Sequence, residues 1–571
     1  MRILSLCLLL LSVACAQDAF VKGGIDGTAI RRLPVLEGER YKPLDSLAQE
    51  WVERITGSRR FRDTEPLVLF LHWRFEAAAA RTERVIHLTD AALSHEMGFD
   101  DIRSRTESFR SYDELMANKA LTALVEAAQK IADKDHTALQ TEALRLDSRV
   151  SMFGSIAGVE SGWEQSGDLG GWLPCVPPKE APKAGEKYRW LSPAQMLMAG
   201  VDATKADAFG KAWIAAKAAF IARNAADFET ASAQLLAASA ALGYPQGPMG
   251  FSGMDAIDRE IRLNKARPFD QAVWWFFLSF MLSLFPLVFR RARWLLLLAA
   301  APALYGAWLM GFGLHERTWL SGRALIGTFY ESMLFAAAAA GVLGLLLELW
   351  ARRGWFLCTG SLVAFAGLFV ATHNSDFMQP AISTLRPVLI NNDLIYIHVP
   401  TMMTSYALLG LAFVLGQSWL VRYLFLGADS DEQKNLARMA WLPIPVGQVL
   451  LFAGIVLGGV WADASWGRFW GWDPKEVGAL VMWLVFMVVV HGRWAGWLKD
   501  FGTAVGSMVG GWSLLWCYYG TNFFQSGQHS YASANGSKSI PMWLWIFTVV
   551  QLGLLAAVVL RHRNSAAQRA A

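Results

Sequence analysis

The feature that most constrains this chain is a series of apolar runs after residue 270. A helical membrane span needs about 17–25 consecutive, mostly apolar residues. The runs lie near 272–289, 294–313, 328–349, 355–371, 397–420, 442–461, 477–491, 503–519 and 543–560. The predicted fold class is therefore α: a polytopic α-helical membrane protein of about nine transmembrane helices in a lipid bilayer.

Charged residues divide the chain into two halves. Residues 1–270 hold 69 of the 100 Asp, Glu, Lys and Arg residues, whereas residues 271–571 hold 31. The first density is typical of a soluble domain and the second of a membrane domain. The whole-chain net charge of +4 is too small to favour a nucleic-acid partner.

The N-terminus has the pattern of a secretory signal peptide. A short apolar run, 3–13, follows Met1-Arg2 and precedes Ala14-Cys15-Ala16. Residues 1–16 are predicted to be a signal peptide cleaved after Ala16, with a lipoprotein signal at Cys15 as the alternative. Either route exports the residues that follow.

Residues 17–268 are predicted to form an exported, mostly helical domain. Stretches 113–150 and 205–242 show helical spacing of apolar residues, and the proline-rich stretch 174–187 between them is predicted to be a loop. Four scattered histidines are interpreted as solvated or hydrogen-bonded residues: His72, His87, His95 and His136. After cleavage this domain keeps only Cys175, which excludes an internal disulfide.

The loops of the transmembrane domain, 269–571, indicate its orientation. With the N-terminal domain outside, the predicted inner loops hold 13 Lys and Arg residues and the longer outer loops hold 6. This agrees with the positive-inside rule. We expect a multi-pass protein of the bacterial inner (cytoplasmic) membrane with its N-terminal domain on the periplasmic side.

Tryptophan is concentrated in one predicted outer loop, 461–476. Of the 26 tryptophans, 20 follow residue 270, and three of them, Trp466, Trp470 and Trp472, fall within seven residues. An interfacial aromatic belt accounts for Trp461 but not for this density. The cluster favours a flat, apolar ligand lying against indole faces.

Two histidines fall on the same outer side as the tryptophan cluster. His398 lies at the outer end of the fifth predicted span and His529 in the last outer loop. Each histidine alone would be interpreted as a hydrogen-bonded residue at the membrane interface. Together, the two could be the axial ligands of a haem iron. His491 ends the seventh span, on the order of 20 Å further inward. It is either an inner haem ligand or a snorkelling side chain beside Arg493.

These residues carry a resemblance to a known family. The stretch 466–476 resembles the tryptophan-rich WWD signature of haem-handling membrane proteins, in particular the CcsA/ResC branch of the System II cytochrome c synthase. Further segments resemble that branch in order: 319–322, 330–332, 387–406, 491–493 and 529–531. One departure is Arg323, where many relatives have a histidine that we do not assign to iron.

The resemblance implies a reaction. Haem b, both substrate and bound ligand, would pass through the membrane to an outer site with axial ligands His398 and His529. His491 would bind iron at an inner site. The residues implied to contact haem at the outer loop 461–476, called the WWD loop below, are Trp466, Trp470, Trp472 and Asp473, whereas Lys475 and Glu476 would position the loop or contact a haem propionate. The chain would be a holocytochrome c synthase (haem lyase) component that joins haem by thioether bonds to CxxCH motifs of apocytochrome c. No separate catalytic residue is assigned.

The resemblance also implies a partner, and two other functions stay open. Residues 17–268 offer no span that would supply a second ligand beside His491, so a separate ResB/CcsB-like membrane subunit is expected. One alternative is a haem transporter or delivery protein without lyase activity, similar to the CcmC branch. The other is a scaffold whose membrane half has lost haem.

Overall fold

The computed structural model describes residues 27–37, 40–99, 108–132, 136–159, 173–176, 190–196, 202–243, 253–289, 294–373, 378–383, 393–428, 430–525, 527–529 and 542–570. The chain divides into two compact units, Met1–Ala266 and Arg267–Ala571. The predicted signal peptide, 1–16, and most of the predicted loop 174–187 lie outside the described residues.

The described residues of the first unit form mainly helices and two short antiparallel sheets. Its helices are α1 (Leu44–Thr56), α2 (Pro66–Phe75), α3 (Ala77–Ala80), α4 (Ala91–Glu96), α5 (Tyr112–Met116), α6 (Lys119–Gln129), α7 (Ala138–Ala157), α8 (Pro193–Met196), α9 (Ala203–Ile221), α10 (Ala225–Leu242) and α11 (Met254–Ala266). Strand β1 (Pro34–Glu37) pairs with β2 (Arg40–Pro43), and β3 (Ile86–His87) pairs with β4 (Phe109–Arg110).

Polar caps divide the predicted helical stretch 113–150 into three helices. Ser111, Asn118 and Thr137 each accept a backbone N–H at the start of α5, α6 and α7 respectively. Such caps satisfy donors that a helix leaves free at its first turn, so each one marks a new beginning. Apolar periodicity alone did not reveal these boundaries.

Buried ion pairs connect the β1–β2 hairpin to neighbouring helices. Arg40 donates two hydrogen bonds to Glu260 of α11, at 2.6 and 2.8 Å. Lys42 donates to Glu37 and to Glu50 of α1, each at 2.7 Å. Burial alone would raise the pKa of Glu37, but the charge and hydrogen bond of Lys42, the hydrogen bond of Trp51 and the charge of Arg54 together outweigh burial and lower that pKa from its ordinary value of 4.5.

The second unit consists of long apolar helices. They are α12 (Pro268–Val288), α13 (Leu295–Ser321), α14 (Phe329–Ala351), α15 (Trp355–His373), α16 (Ile395–Leu426), α17 (Asp431–Trp441), α18 (Pro443–Trp466), α19 (Pro474–Trp494), α20 (Asp500–Leu515), α21 (Thr521–Phe523) and α22 (Met542–Ala570). Eight helical stretches among the described residues are long and apolar enough to cross a membrane. The protein is a polytopic α-helical membrane protein.

The remaining predicted span, 503–519, has a different form from the others. The α-helical part of this span, α20, ends at Leu515. A π-helical segment, Trp516–Gly520, follows it directly and leads into α21. A π-helical segment widens the helix locally and is frequent at functional sites. This one carries Tyr518 into the wall of the cavity described below.

Several of the described helices extend well beyond the apolar runs that predicted them. Helix α13 reaches Ser321 instead of 313, and α18 reaches Trp466 instead of 461. Hydropathy marks the apolar part of a helix, whereas backbone hydrogen bonding continues into polar turns. Trp466 is therefore the last residue of a helix, and the loop that follows spans only 467–473.

Candidate functional site

One cavity in the second unit brings the two outer histidines together. His398 and His529 both line it, and it holds about 1110 Å³ of empty space, part of which is open to solvent. Its walls come from the start of α14, from α16, α18 and α19, and from the π-helical segment. Residues 131 positions apart in sequence thus share one site.

Helix α16 supplies one wall. His398, Met402 and Tyr406 follow one another at intervals of four residues and all line the cavity. Residues at this interval share one helix face. Since a helix rises 1.5 Å per residue, the wall extends for about 12 Å from the imidazole end to the Tyr406 end.

The His398 imidazole is held by the backbone of α18. Its Nδ1 donates a hydrogen bond to the carbonyl oxygen of Gly454 at 2.9 Å. A carbonyl only accepts, so Nδ1 carries the proton and a neutral ring keeps the lone pair of Nε2. A Cβ at Gly458 would lie 2.6 Å from His398 Cε1, so only glycine permits this close approach.

The His529 imidazole is held by a carboxylate. Its Nδ1 donates to Asp473 Oδ1 at 3.0 Å, which again leaves Nε2 as the atom with a lone pair. Asp473 also accepts the backbone N–H groups of Lys475 and Gln528, at 3.0 and 2.7 Å. Burial alone would raise the pKa of Asp473, but the His529 and backbone hydrogen bonds outweigh it and lower that pKa to about 2. Asp473 is therefore a charged residue that orients His529.

The tryptophans occupy four different positions. Trp470 lines the cavity, and Trp461 does so with only 2% of its surface exposed. Trp466 packs edge-on against His529, with ring centroids 4.9 Å apart. Trp472 is 72% exposed and has a φ of 57°, outside the cavity wall. The predicted platform of three tryptophans is thus one wall residue, one residue that supports a histidine and one exposed residue.

Trp461 corrects one interpretation of the sequence. An interfacial belt residue faces lipid and headgroups. Trp461 instead packs against Trp466 and His529, with centroids 4.8 and 6.2 Å away. The attribution of Trp461 to a belt is wrong because the last turns of α18 direct this ring into the protein.

Glu476 stabilises the WWD loop from the first turn of α19. Its carboxylate accepts the backbone N–H groups of Gly471 and Asp473, at 2.8 and 3.1 Å, and pairs with Arg468 at 3.4 Å. With Asp473 it forms a capping box, in which each side chain satisfies a backbone donor at the start of the helix. The motif Asp-Pro-Lys-Glu thus has a local structural role as well as cavity contacts.

A buried ion cluster fixes another part of the wall. Glu331, 1% exposed, pairs with Arg323 at 2.8 Å and Arg317 at 3.1 Å. It also accepts the N–H groups of Gly327 and Thr328, which line the cavity. Arg323, noted in the sequence only as a departure from relatives, therefore holds the turn that precedes α14. Arg323 and Glu331 beside an apolar run are a signal in the sequence for an ion pair. The sequence does not show that this pair lies next to the cavity.

His491 lies apart from this cavity. Its side chain is exposed near the end of α19, Nδ1 donates to the carbonyl of Met487 at 2.9 Å, and the ring contacts Trp494 edge-on with centroids 5.9 Å apart. It is 18 residues beyond Asp473, or about 27 Å along the helix. The structure thus separates His491 from His398 and His529, as the sequence predicts.

Comparison with known proteins shows which protein family the chain resembles. Residues 326–529 match the family described as Cytochrome C assembly protein, and this range contains the two cavity histidines. Protein NrfI of Wolinella succinogenes is 33% identical over 228 residues, which are 39% of this chain and only 25% of NrfI. The CcsA cytochrome c biogenesis protein of Chlamydomonas reinhardtii is 34% identical over 38% of this chain and 63% of that protein.

The CcsA cytochrome c biogenesis protein of Synechococcus sp. (strain CC9605) is matched over most of its length. It is 31% identical over 271 residues, which are 41% of this chain and 85% of that protein. The matches together with the helical fold agree with the resemblance carried by the WWD motif. The chain belongs to the family of CcsA-type cytochrome c biogenesis proteins.

Proposed function

We propose that the chain binds haem b in the cavity and promotes its covalent attachment to CxxCH motifs of exported apocytochrome c, as a holocytochrome c synthase component. One observation carries the proposal: His398 and His529 line one cavity, and both have Nδ1 tied to an acceptor. Two imidazoles whose Nδ1 is held by an acceptor direct Nε2 as the ligating atom, and such imidazoles are suitable axial ligands for haem iron.

The apolar residues that line the cavity suit the porphyrin ring of haem. Indole and aliphatic surfaces such as Trp470 and Val399 match a flat, apolar macrocycle. Attachment itself needs no side chain as general acid. Each cysteine thiol adds across one vinyl group: a sulfur–carbon bond forms, the S–H bond and one π bond break, and the proton moves to the other vinyl carbon. The residues of the chain bind and orient the reactants.

We propose further that a ResB/CcsB-like membrane subunit meets this chain near His491. An exposed imidazole close to the inner end of a span supports an inner haem site that is completed by another chain. The distribution of Lys and Arg supports a location in the bacterial inner membrane with the WWD loop in the periplasm.

The decisive experiment is coexpression with a CxxCH apocytochrome in cells that lack their own maturation system. Expression is done with and without a ResB-like subunit, and covalent haem is stained on denaturing gels. Covalent haem that requires this chain supports the synthase. A haem-containing, red preparation without covalent product would indicate a delivery protein, and a colourless preparation from haem-replete cells would indicate a scaffold.

The ligand assignment has its own test. His398→Ala or His529→Ala is expected to abolish holocytochrome c formation, because each removes one axial ligand. Added imidazole should partly restore it by occupying the vacated position. Exposed His373→Ala, at the end of α15, serves as the control. Normal maturation in either cavity variant would refute the assignment.

A further inference from the structure

Lys475 places a cation on the wall of the cavity. It is the second residue of α19 and lines the same space as the two histidines. Its ammonium nitrogen lies 6.0 Å from the centroid of the Tyr518 ring. Among the ion pairs formed between described residues, none includes Lys475. A lysine in a mostly apolar wall is costly unless an anion compensates its charge.

The two neighbouring carboxylates are engaged elsewhere. Asp473 accepts hydrogen bonds from His529 and from two backbone N–H groups. Glu476 accepts two backbone N–H groups of the WWD loop and pairs with Arg468. If either turned toward Lys475, it would leave these backbone N–H groups without their acceptor. Neither carboxylate therefore pairs directly with Lys475, and a ligand carboxylate would be its direct counter-ion.

Polar side chains share the cavity wall with Lys475. Tyr518, Ser332 and Asn522 line it, and Tyr518 Oη lies 2.8 Å from Ser332 Oγ. Hydroxyl and amide groups can donate to carboxylate oxygens. Ile395 and Trp470 line the same cavity without offering a charge. Lys475 thus shares the wall with groups that can donate to a carboxylate and with apolar surfaces that suit the ring of a ligand.

We infer that Lys475 binds a carboxylate of an amphipathic aromatic ligand and thereby fixes the orientation of that ligand in the cavity. The inference rests on the proposed function: haem b carries its two carboxylates on one edge and its vinyl groups away from that edge. With the acidic edge at Lys475, the vinyl groups lie toward the part of the cavity away from this residue. A charge-assisted hydrogen bond between the Lys475 ammonium and the carboxylate would stabilise this orientation.

The test compares haem b with its dimethyl ester, in which both carboxylates are neutral. Each is titrated by absorbance into the purified full-length protein in detergent, emptied of endogenous haem. The wild type is expected to bind haem b about tenfold more tightly than the ester. Lys475→Met should abolish this preference, Lys475→Arg should retain most of it, and the exposed Lys499→Met serves as the matched control.

Each outcome has a distinct meaning. Equal binding of acid and ester by the wild type overturns the carboxylate site while the haem-binding function stands. A preference that survives in Lys475→Met overturns the role of this residue. If the wild type binds neither porphyrin, the proposed function fails and the carboxylate site fails with it. If Lys475→Met does not fold, the wild-type ester comparison and Lys475→Arg still decide the matter.

Discussion

At the scale of single residues, the two cavity histidines differ in what holds them. Nδ1 of His398 donates to a neutral backbone carbonyl, that of Gly454, whereas Nδ1 of His529 donates to the charged carboxylate of Asp473. A carboxylate acceptor increases the electron density of an imidazole and makes it a stronger metal ligand. His529 is therefore expected to be the stronger of the two donors.

Replacing the carboxylate by an amide tests this difference. Asp473→Asn keeps an oxygen for His529 but removes the negative charge. We expect the affinity for haem b to fall by about 10–100-fold and the midpoint potential of the bound haem to rise, because the weaker donor stabilises ferric iron less. Absorbance titration and a spectroscopic redox titration measure these changes.

The matched control is Asp463→Asn. Asp463 has an exposed carboxylate and lies near the C-terminal end of α18, shortly before the WWD loop. A variant at position 473 with unchanged potential would show that Asp473 has only a structural role as a helix cap.

The sequence predicted which residues meet but not what orients them. Counting spans put His398 and His529 on one side of the membrane, and the structure brings them to one cavity. The Gly454 carbonyl is 56 residues from His398, and Asp473 is 56 residues from His529. Hydrogen bonds over such separations depend on helix packing, which no local pattern encodes.

At the scale of elements, the close packing of α16 on α18 positions one histidine. The helices approach at Gly458, where no side chain separates the His398 ring from the α18 backbone. Gly458→Ala is expected to displace the imidazole and weaken haem binding by about tenfold, since misplacement of a ligand by a few tenths of an ångström costs coordination. Haem titration measures the loss.

Gly410→Ala provides the control on α16, because a Cβ there meets no atom within 4 Å. It should leave binding unchanged and slightly favour the helix. Equal affinity in both variants would contradict the packing argument.

The ion pair of the β1–β2 hairpin is expected to make the stability of the first unit depend on pH. Since Lys42 lowers the pKa of Glu37 in the folded unit, their contact stabilises that unit above pH 4.5. This stabilisation is lost as the pH falls through the lowered pKa. Glu37→Gln should reduce the pH dependence of the unfolding free energy between neutral and acid pH.

Pulse labelling of Cys175 in the full chain measures this opening. The thiol is buried, and burial raises its pKa to about 12, so it reacts only when the unit opens. Peptide mass spectrometry separates it from the other cysteines. The exposed Glu126→Gln should keep the wild-type pH dependence. An unchanged slope in Glu37→Gln would rule out this contact as its source.

Element prediction succeeded where apolar length decides and failed where polar contacts decide. Most spans lie where hydropathy put them, but the π-helical segment Trp516–Gly520 and the extension of α18 to Trp466 follow from backbone hydrogen bonding. The three capped helices of stretch 113–150 show the same limit.

At the scale of the whole molecule, the charge division corresponds to two compact units, Met1–Ala266 and Arg267–Ala571. Composition could predict this division because a soluble unit needs a charged surface and a membrane unit needs an apolar one. Composition could not reveal the two short sheets of the first unit or what that unit binds.

Orientation is the whole-molecule property open to direct test. Thr82 is an exposed residue of the first unit, and Lys434 is exposed on α17, in a predicted inner loop. We expect Thr82→Cys to react with a membrane-impermeant thiol reagent in intact cells whose outer membrane admits it. Lys434→Cys should react only after the inner membrane is permeabilised. The reverse pattern would contradict the proposed topology.

The acceptor of His398 has a further consequence for how such a site can change. The oxygen belongs to the peptide group of Gly454, so no substitution at position 454 removes it. The acceptor of His529 is a side chain that one mutation replaces. A single mutation can therefore adjust the electronic character of one of the two proposed axial ligands. The other proposed ligand, His398, keeps its backbone acceptor for as long as α16 and α18 stay packed together.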